Sequence, residues 1–249
     1  YFFEKTSGLD KPFLVGKENA SFKELYNSSL FLAHHLDKEY GKGKKILLIS
    51  ENNLFFLTAY LDIIKSGNIC IPLDPNMEQE NFNYISDITN PVLLFISKDA
   101  GRKLNTGPYR CIYPDSITKE GNNIADSIDD IEFDENQCAE IIFTSGSTGK
   151  PKGVMISHKN LIANTESIIT YLKLKESDRM LVVLPFYYCY GLSLLHTHLR
   201  VGGSIVLNNS FIFIGGIINN LRDYKCTGFA GVPSHYQILL RKSDNFKTT

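Results

Sequence analysis

The chain has 249 residues, enough to bury one large core or two small ones, and its 43% apolar and 21% charged content is ordinary for a globular protein. With 26 basic and 27 acidic residues the net charge is −1, which excludes a basic footprint for nucleic acid or anionic lipid. Apolar runs stay far below the roughly 18 residues of a spanning helix, so no transmembrane segment is expected. The five cysteines are odd in number and form no CxxC pair, which argues against a disulfide framework or a thiolate zinc site and suits a cytoplasmic setting. The opening YFFEKTSGLDKPF scatters charges through its length and has no signal-peptide pattern.

In chain order, SFKELYNSSLFLAHHLDKEY predicts a first helix. Ser21 and Glu24 form a capping-box pattern, and Phe22, Leu25, Tyr26, Leu30, Ala33 and Leu36 recur at near-helical spacing. KKILLIS predicts a buried strand over 44–50. A helix follows over 54–65, with Gly67 as its stop. NICIPLDP is the next strand, then a helix over 77–88, the strand PVLLFIS and a weaker strand in YRCIY. From 114 to 137 the alternation lapses. Asp126, Asp129, Asp130, Glu132, Asp134 and Glu135 crowd there without the spacing or central Gly of a calcium loop, so a solvated connector is expected.

Alternation then resumes, with a helix over 158–172, the strand RMLVVLP, a helix in GLSLLHTHLRVGG and the strand SIVLN. A short helix over 215–224 leads to CTGFAGVP, where Pro233 suits the first turn of a final helix. Strands alternating with helices predict an α/β fold of mostly parallel sheets flanked by helices. His196 and His198 stand two apart on a helix and so face different ways, a spacing that does not make a metal pair. His34 and His35 read as a surface pair. No metal site is expected.

The chemistry concentrates in EIIFTSGSTGKPKGVMISH, residues 140–158. An apolar strand runs into a tight polar run with three glycines and two lysines, and a second apolar strand and a helix follow. Successive backbone N–H groups in such a loop make an anion nest, hydroxyls add donors, and glycine lets phosphate approach without a Cβ in the way. A polyphosphate suits it. The P-loop of NTPases does not, because Gly146 and Gly149 are only three apart. Lys150 is moreover followed by Pro151 rather than by a magnesium-holding Ser or Thr. An ordinary mobile turn is the bland alternative.

The ten residues TSGSTGKPKG, from Thr144 to Gly153, are identified with the phosphate-loop signature of the acyl-adenylate-forming enzymes, the superfamily of acyl-CoA synthetases, luciferases and peptide-synthetase adenylation domains. The flanks agree with this. SFKELYNSS resembles the early Thr-Tyr-x-Glu-Leu element, and KSGNICIPLDPN the Lys-Ala-Gly element that ends in Pro-Leu-Asn/Asp-Pro. LPFYYCYGL resembles Leu-Pro-Leu-Phe-His-x-x-Gly-Leu, and GFAGVPSHYQILL the Gly-Val-Pro-Thr segment. Together these span about residues 13–240 in family order.

The resemblance implies a ligase that joins a carboxylic acid to ATP, with Mg2+ on the phosphates. Pyrophosphate is released, and the acyl group passes to CoA or to the phosphopantetheine of an acyl carrier protein. It also implies that Thr144, Ser145, Ser147, Thr148 and Lys152 hold the phosphates, with backbone access at Gly146 and Gly149 and a less defined part for Lys150. Tyr187, Tyr188 and Gly191 fall at the acyl-pocket element, where the two tyrosines either border the substrate or fill the core. Relatives that activate amino acids place an Asp near here for the substrate ammonium. Residues 185–193 have no carboxylate, which favours an acid without an α-amino group. An amino-acid adenylation domain and a non-catalytic nucleotide-binding fragment are the rivals.

The resemblance also divides the chain, with residues 1–175 as a first subdomain carrying the phosphate loop and 176–249 as the start of a second. The family's ribose-gripping element, its hinge and its lid with the catalytic lysine have no counterpart in 1–249. A partial enzyme is therefore expected, inactive alone and prone to self-association through apolar surface left uncovered.

Overall fold

The computed structural model describes residues 4–117, 134–144, 149–211 and 213–242. The first elements are β1 (Pro12–Val15), β2 (Ala20–Ser21), α1 (Phe22–Tyr40), β3 (Lys45–Ile49), α2 (Leu54–Lys65) and β4 (Ile69–Leu73). Then come α3 (Gln79–Thr89), β5 (Leu93–Ile96), α4 (Lys98–Lys103), β6 (Cys111–Ile112) and α5 (Pro114–Ile117). β7 (Cys138–Thr144), β8 (Lys152–Ser157), α6 (His158–Leu172), β9 (Arg179–Val182) and α7 (Cys189–Val201) follow. β10 (Ser204–Leu207), α8 (Ile214–Asp223), β11 (Gly228–Ala230) and α9 (Pro233–Lys242) complete the described chain.

These elements gather into two compact units. One takes Glu24–Leu161; the other combines the chain up to Lys23 with everything from Ile162 onward. This division differs from a boundary at 175, and strand pairing is the reason. β1 pairs in parallel with β10, Leu14 opposite Ile205, so the N-terminal segment joins the later unit.

The first unit is built on a sheet of order β6-β5-β3-β4-β7-β8. Its strands run parallel except β8, which returns antiparallel to β7. Helical crossovers are the connection that parallel neighbours require, and the apolar strands β3, β4 and β5 are buried almost throughout. α2 is buried from Phe55 to Lys65, which explains its nearly unbroken apolar sequence LFFLTAYLDIIK. The Asn53 side chain caps it by accepting from Phe56 N at 2.8 Å, and the left-handed Gly67 (φ +73°) ends the turn beyond it. Leu47, Ile71, Phe82, Ile85, Leu94 and Ile141 form the centre of this unit's core.

The second unit carries a sheet of order β11-β9-β10-β1-β2, parallel except for the β1–β2 hairpin. Leu181, Val206, Ile217, Leu221 and Leu239 pack at its centre. Arg179 ties its strand ends together, donating to Ser204 Oγ at 2.9 Å and to the Tyr224 carbonyl at 2.6 Å. α7 stops at Gly202, whose φ of +76° is the left-handed cap that a Gly-Gly pair predicts.

Four elements depart from the sequence reading. β1 and β2 are too short to announce themselves. α4 is a short helix capped by Ser97. α5 occupies the first residues of the stretch read as a connector. Residues 118–133 of that connector lie outside the described residues.

Candidate active site

In the first unit, β7 and β8 are antiparallel neighbours that flank the polar run in sequence. Phe143 stands opposite Gly153 and Thr144 opposite Lys152, the last pair of the register. The Thr144 hydroxyl lies 3.4 Å from the Lys152 carbonyl, to which it donates. Ser145, Gly146, Ser147 and Thr148 lie outside the described residues. On the returning arm Gly149 adopts φ +83°, a backbone that a side chain would strain, with nothing within 4 Å of where a Cβ would sit. Gly153 is required for a different reason. A Cβ there would fall 2.8 Å from Ile141 Cγ2 and 3.2 Å from the Phe143 ring, so the arms could not close.

Lys150 and Lys152 are both exposed, and neither makes an ion pair among the described residues. Lys150 Nζ stands 5.2 Å from the centre of the Tyr84 ring on α3. A glycine in the left-handed region, a hydroxyl at the mouth and two uncompensated ammonium groups fit an anionic, phosphate-bearing guest. No group of three or more His, Cys, Asp or Glu side chains that could hold a metal ion occurs among the described residues.

Near the start of β7, opposite Ile156, Glu140 is buried and accepts a hydrogen bond from Tyr60 Oη of α2 at 2.9 Å. Burial pushes its carboxyl up to about 7, against the pull of that hydrogen bond. Asp62, two residues beyond Tyr60, is buried with neither carboxyl oxygen hydrogen-bonded, and burial raises its pKa well above the usual range. These two acids sit on the mainly apolar elements β7 and α2. At the far end of β8, burial lowers the His158 imidazole to about 4.

In the second unit, the segment entering α7 buries Phe186 completely and leaves Tyr188 at 52% exposure. The Tyr187 and Tyr188 rings are 4.7 Å apart at 56°. Gly191 is buried, and a Cβ on it would lie 2.0 Å from the Pro185 carbonyl oxygen. The first turn of α7 can therefore lie against Pro185 only because residue 191 has no side chain.

Tyr190 and Tyr236 are also partly exposed, at 47% and 37%. Tyr236 donates to the Phe229 carbonyl at 3.0 Å and packs edge-on to the Phe229 ring at 5.5 Å. Its hydroxyl pKa is raised chiefly by burial and further by the nearby Tyr190. The His235 ring stacks on Phe211 with centroids 4.0 Å apart. Tyr190 and Phe211 fall in the aromatic-dense stretches 186–190 and 211–213, while nothing local in the sequence marks Tyr236. His196 and His198 are buried in α7, and burial alone takes His196 down to about 3. His198 Nδ1 lies 2.9 Å from the Leu194 carbonyl. His34 and His35 are exposed on α1, His35 3.2 Å from Glu39.

Each unit is a mostly parallel sheet flanked by helices, and the first carries the β7–β8 pair with its exposed lysines, an α/β architecture. The AMP-binding enzyme family model matches residues 4–249, and the chain belongs to that family. It is 30% identical over 194 residues to the D-alanine–D-alanyl carrier protein ligase of Listeria innocua serovar 6a, covering 75% of this chain and 37% of the relative. It is 27% identical over 254 residues to the peroxisomal OPC-8:0-CoA ligase 1 of Arabidopsis thaliana, covering 92% of this chain and 45% of the relative. Among solved structures, apo MatB from Rhodopseudomonas palustris superposes with a TM-score of 0.81 at 22% identity, over 97% of this chain and 50% of that one. The chain thus spans half or less of the length of each of these proteins. No helix among the described residues is long and apolar enough to cross a membrane.

Proposed function

We propose that the chain forms the phosphate- and acid-binding part of an AMP-forming acid–thiol ligase. The reaction joins a carboxylate to the α-phosphorus of ATP with loss of pyrophosphate, and the acyl group then passes to the thiol of CoA or of a carrier protein's phosphopantetheine. The observation that carries this reading is the hairpin closed by Thr144 and Lys152, with its uncompensated ammonium groups, in a chain that the AMP-binding family matches almost end to end.

In this reading Thr144, Ser145, Ser147, Thr148 and Lys152 hold the β- and γ-phosphates, while Gly146 and Gly149 let the backbone come close. Magnesium, if bound with the nucleotide, would supply further charge stabilisation of the phosphates. The chain's own donors fix their orientation, and positioning with charge stabilisation is what such a transfer needs. Tyr188 borders the acid, with Tyr187 packed behind it and Gly191 setting the start of α7. The absence of a carboxylate from 185–193 favours an acid without an α-amino group, because a buried ammonium there would lack its partner.

The test is carboxylate-dependent exchange of labelled pyrophosphate into ATP by the protein as the cell makes it, with a panel of fatty, aromatic and amino acids. Lys152→Ala should lower exchange by about 1.5–3 kcal/mol, or roughly ten- to a hundredfold. Unchanged exchange in that variant would overturn the phosphate assignment, and a preference for amino acids would overturn the substrate class.

A further inference from the structure

Lys150 is an exposed residue two positions before β8, and its ammonium stands over the Tyr84 ring, 5.2 Å from the centroid. That is within the roughly 6 Å at which the negative face of an aromatic ring holds a cation. Tyr84 is a fixed platform. It lies between the buried Phe82 and Ile85 on α3 and packs partly buried against the core of the first sheet. Pro151 biases Lys150 toward an extended backbone, so the stem of the lysine has few directions open to it. Among the described residues no carboxylate competes for Lys150 by ion pairing.

We propose that Tyr84 is a positioning residue for the phosphate hairpin: it holds Lys150 on α3 and so sets the returning arm before nucleotide arrives. The proposal rests on the reading of Thr144–Gly153 as a phosphate loop. Lys152 is then the cation that meets phosphate, and Lys150 is the tether. An arm already in place spares the ordering cost that nucleotide binding would otherwise carry. The contact should therefore register in ATP affinity and leave the rate of the bound complex unchanged.

The experiment measures ATP affinity by equilibrium titration, alongside KM for ATP and kcat in pyrophosphate exchange, for five variants of the protein. Tyr84→Leu should weaken ATP binding about two- to fivefold, the worth of one exposed cation–π contact, with kcat unchanged. Tyr84→Phe keeps the ring face and should bind as the parent does. Lys150→Met should lose as much as Tyr84→Leu, and the double variant no more than either one. Lys152→Ala separates the two ideas. If it loses ATP while Tyr84→Leu and Lys150→Met do not, the phosphate loop stands and the tether falls. If Lys152→Ala also binds normally, the phosphate reading itself fails. Additive losses from Tyr84→Leu and Lys150→Met, or tighter ATP binding by Tyr84→Leu, would also overturn the tether. Should Tyr84→Leu fail to fold, the exposed Lys150→Met carries the same comparison against Tyr84→Phe.

Discussion

Glu140 is 2% exposed on β7, with its carboxylate hydrogen-bonded by Tyr60 Oη at 2.9 Å, and burial takes its pKa from an ordinary 4.5 up to about 7. Between those values the folded chain binds more protons at this site than the unfolded one. Stability contributed here is therefore present in acid and is lost as pH rises through about 7. At about 1.36 kcal/mol per pH unit, ionising the buried carboxyl costs about 3 kcal/mol. Glu140→Gln keeps the shape and an oxygen for Tyr60 but cannot ionise. Relative to the parent it should be more stable by about 3 kcal/mol near pH 8 and by only about 1 kcal/mol near pH 5. His158 and His196 act in the opposite sense, because burial lowers them to about 4 and about 3. Their contribution is present above about 6.5 and is lost as pH falls, which can mask Glu140 in the parent's own pH profile. Both proteins carry these histidines, so the difference between them isolates residue 140. Urea unfolding of the two proteins across that range measures the gap. A gap that does not change with pH, or that widens in acid, would refute the claim that Glu140 is held in a desolvated site.

Gly191→Ala should cost about 1–3 kcal/mol, seen as a lower melting temperature, because its Cβ would meet the Pro185 carbonyl at 2.0 Å and backbone must move to admit it. An unchanged melting temperature would mean that α7 can stand off from Pro185. Tyr188→Ala, at a position 52% exposed, should change stability by less than about 0.5 kcal/mol while shifting which acid length is preferred in pyrophosphate exchange. A uniform loss across all acids together with a lower melting temperature would instead make Tyr188 a packing residue.

Much of the fold was legible because its strongest signals are local. KKILLIS, NICIPLDP and PVLLFIS are apolar runs of strand length, and buried parallel strands read this way because both faces are covered. The helix expected over 54–65 is observed as Leu54–Lys65, since Asn53 at one end and Gly67 at the other are cap residues whose chemistry is confined to a single turn. β1 was not legible. PFLV is apolar and strand-prone but only four residues long, too short to be told from a buried loop; its pairing with β10 makes it a strand, and that pairing places the N-terminal segment in the second unit. The acids of α2 and β7 were equally hidden, because a charged letter in a sequence carries no record of its burial.

What the sequence by itself determined was the family. Ten consecutive residues with fixed glycines, hydroxyls and lysines can be recognised without coordinates, because a signature of this kind is made by neighbours along the chain. What only the tertiary structure decided were the meetings of residues far apart in that order. Lys150 rests over Tyr84, Tyr60 reaches Glu140, and Arg179 donates to Tyr224. Even the need for glycine at 191 arises from a carbonyl six residues earlier, whose oxygen the turn into α7 brings to 2.0 Å from where a Cβ would sit. Each depends on strand register and helix packing, which set distances and exclude water; these in turn decide which side chain a lysine meets and how readily a buried carboxyl ionises.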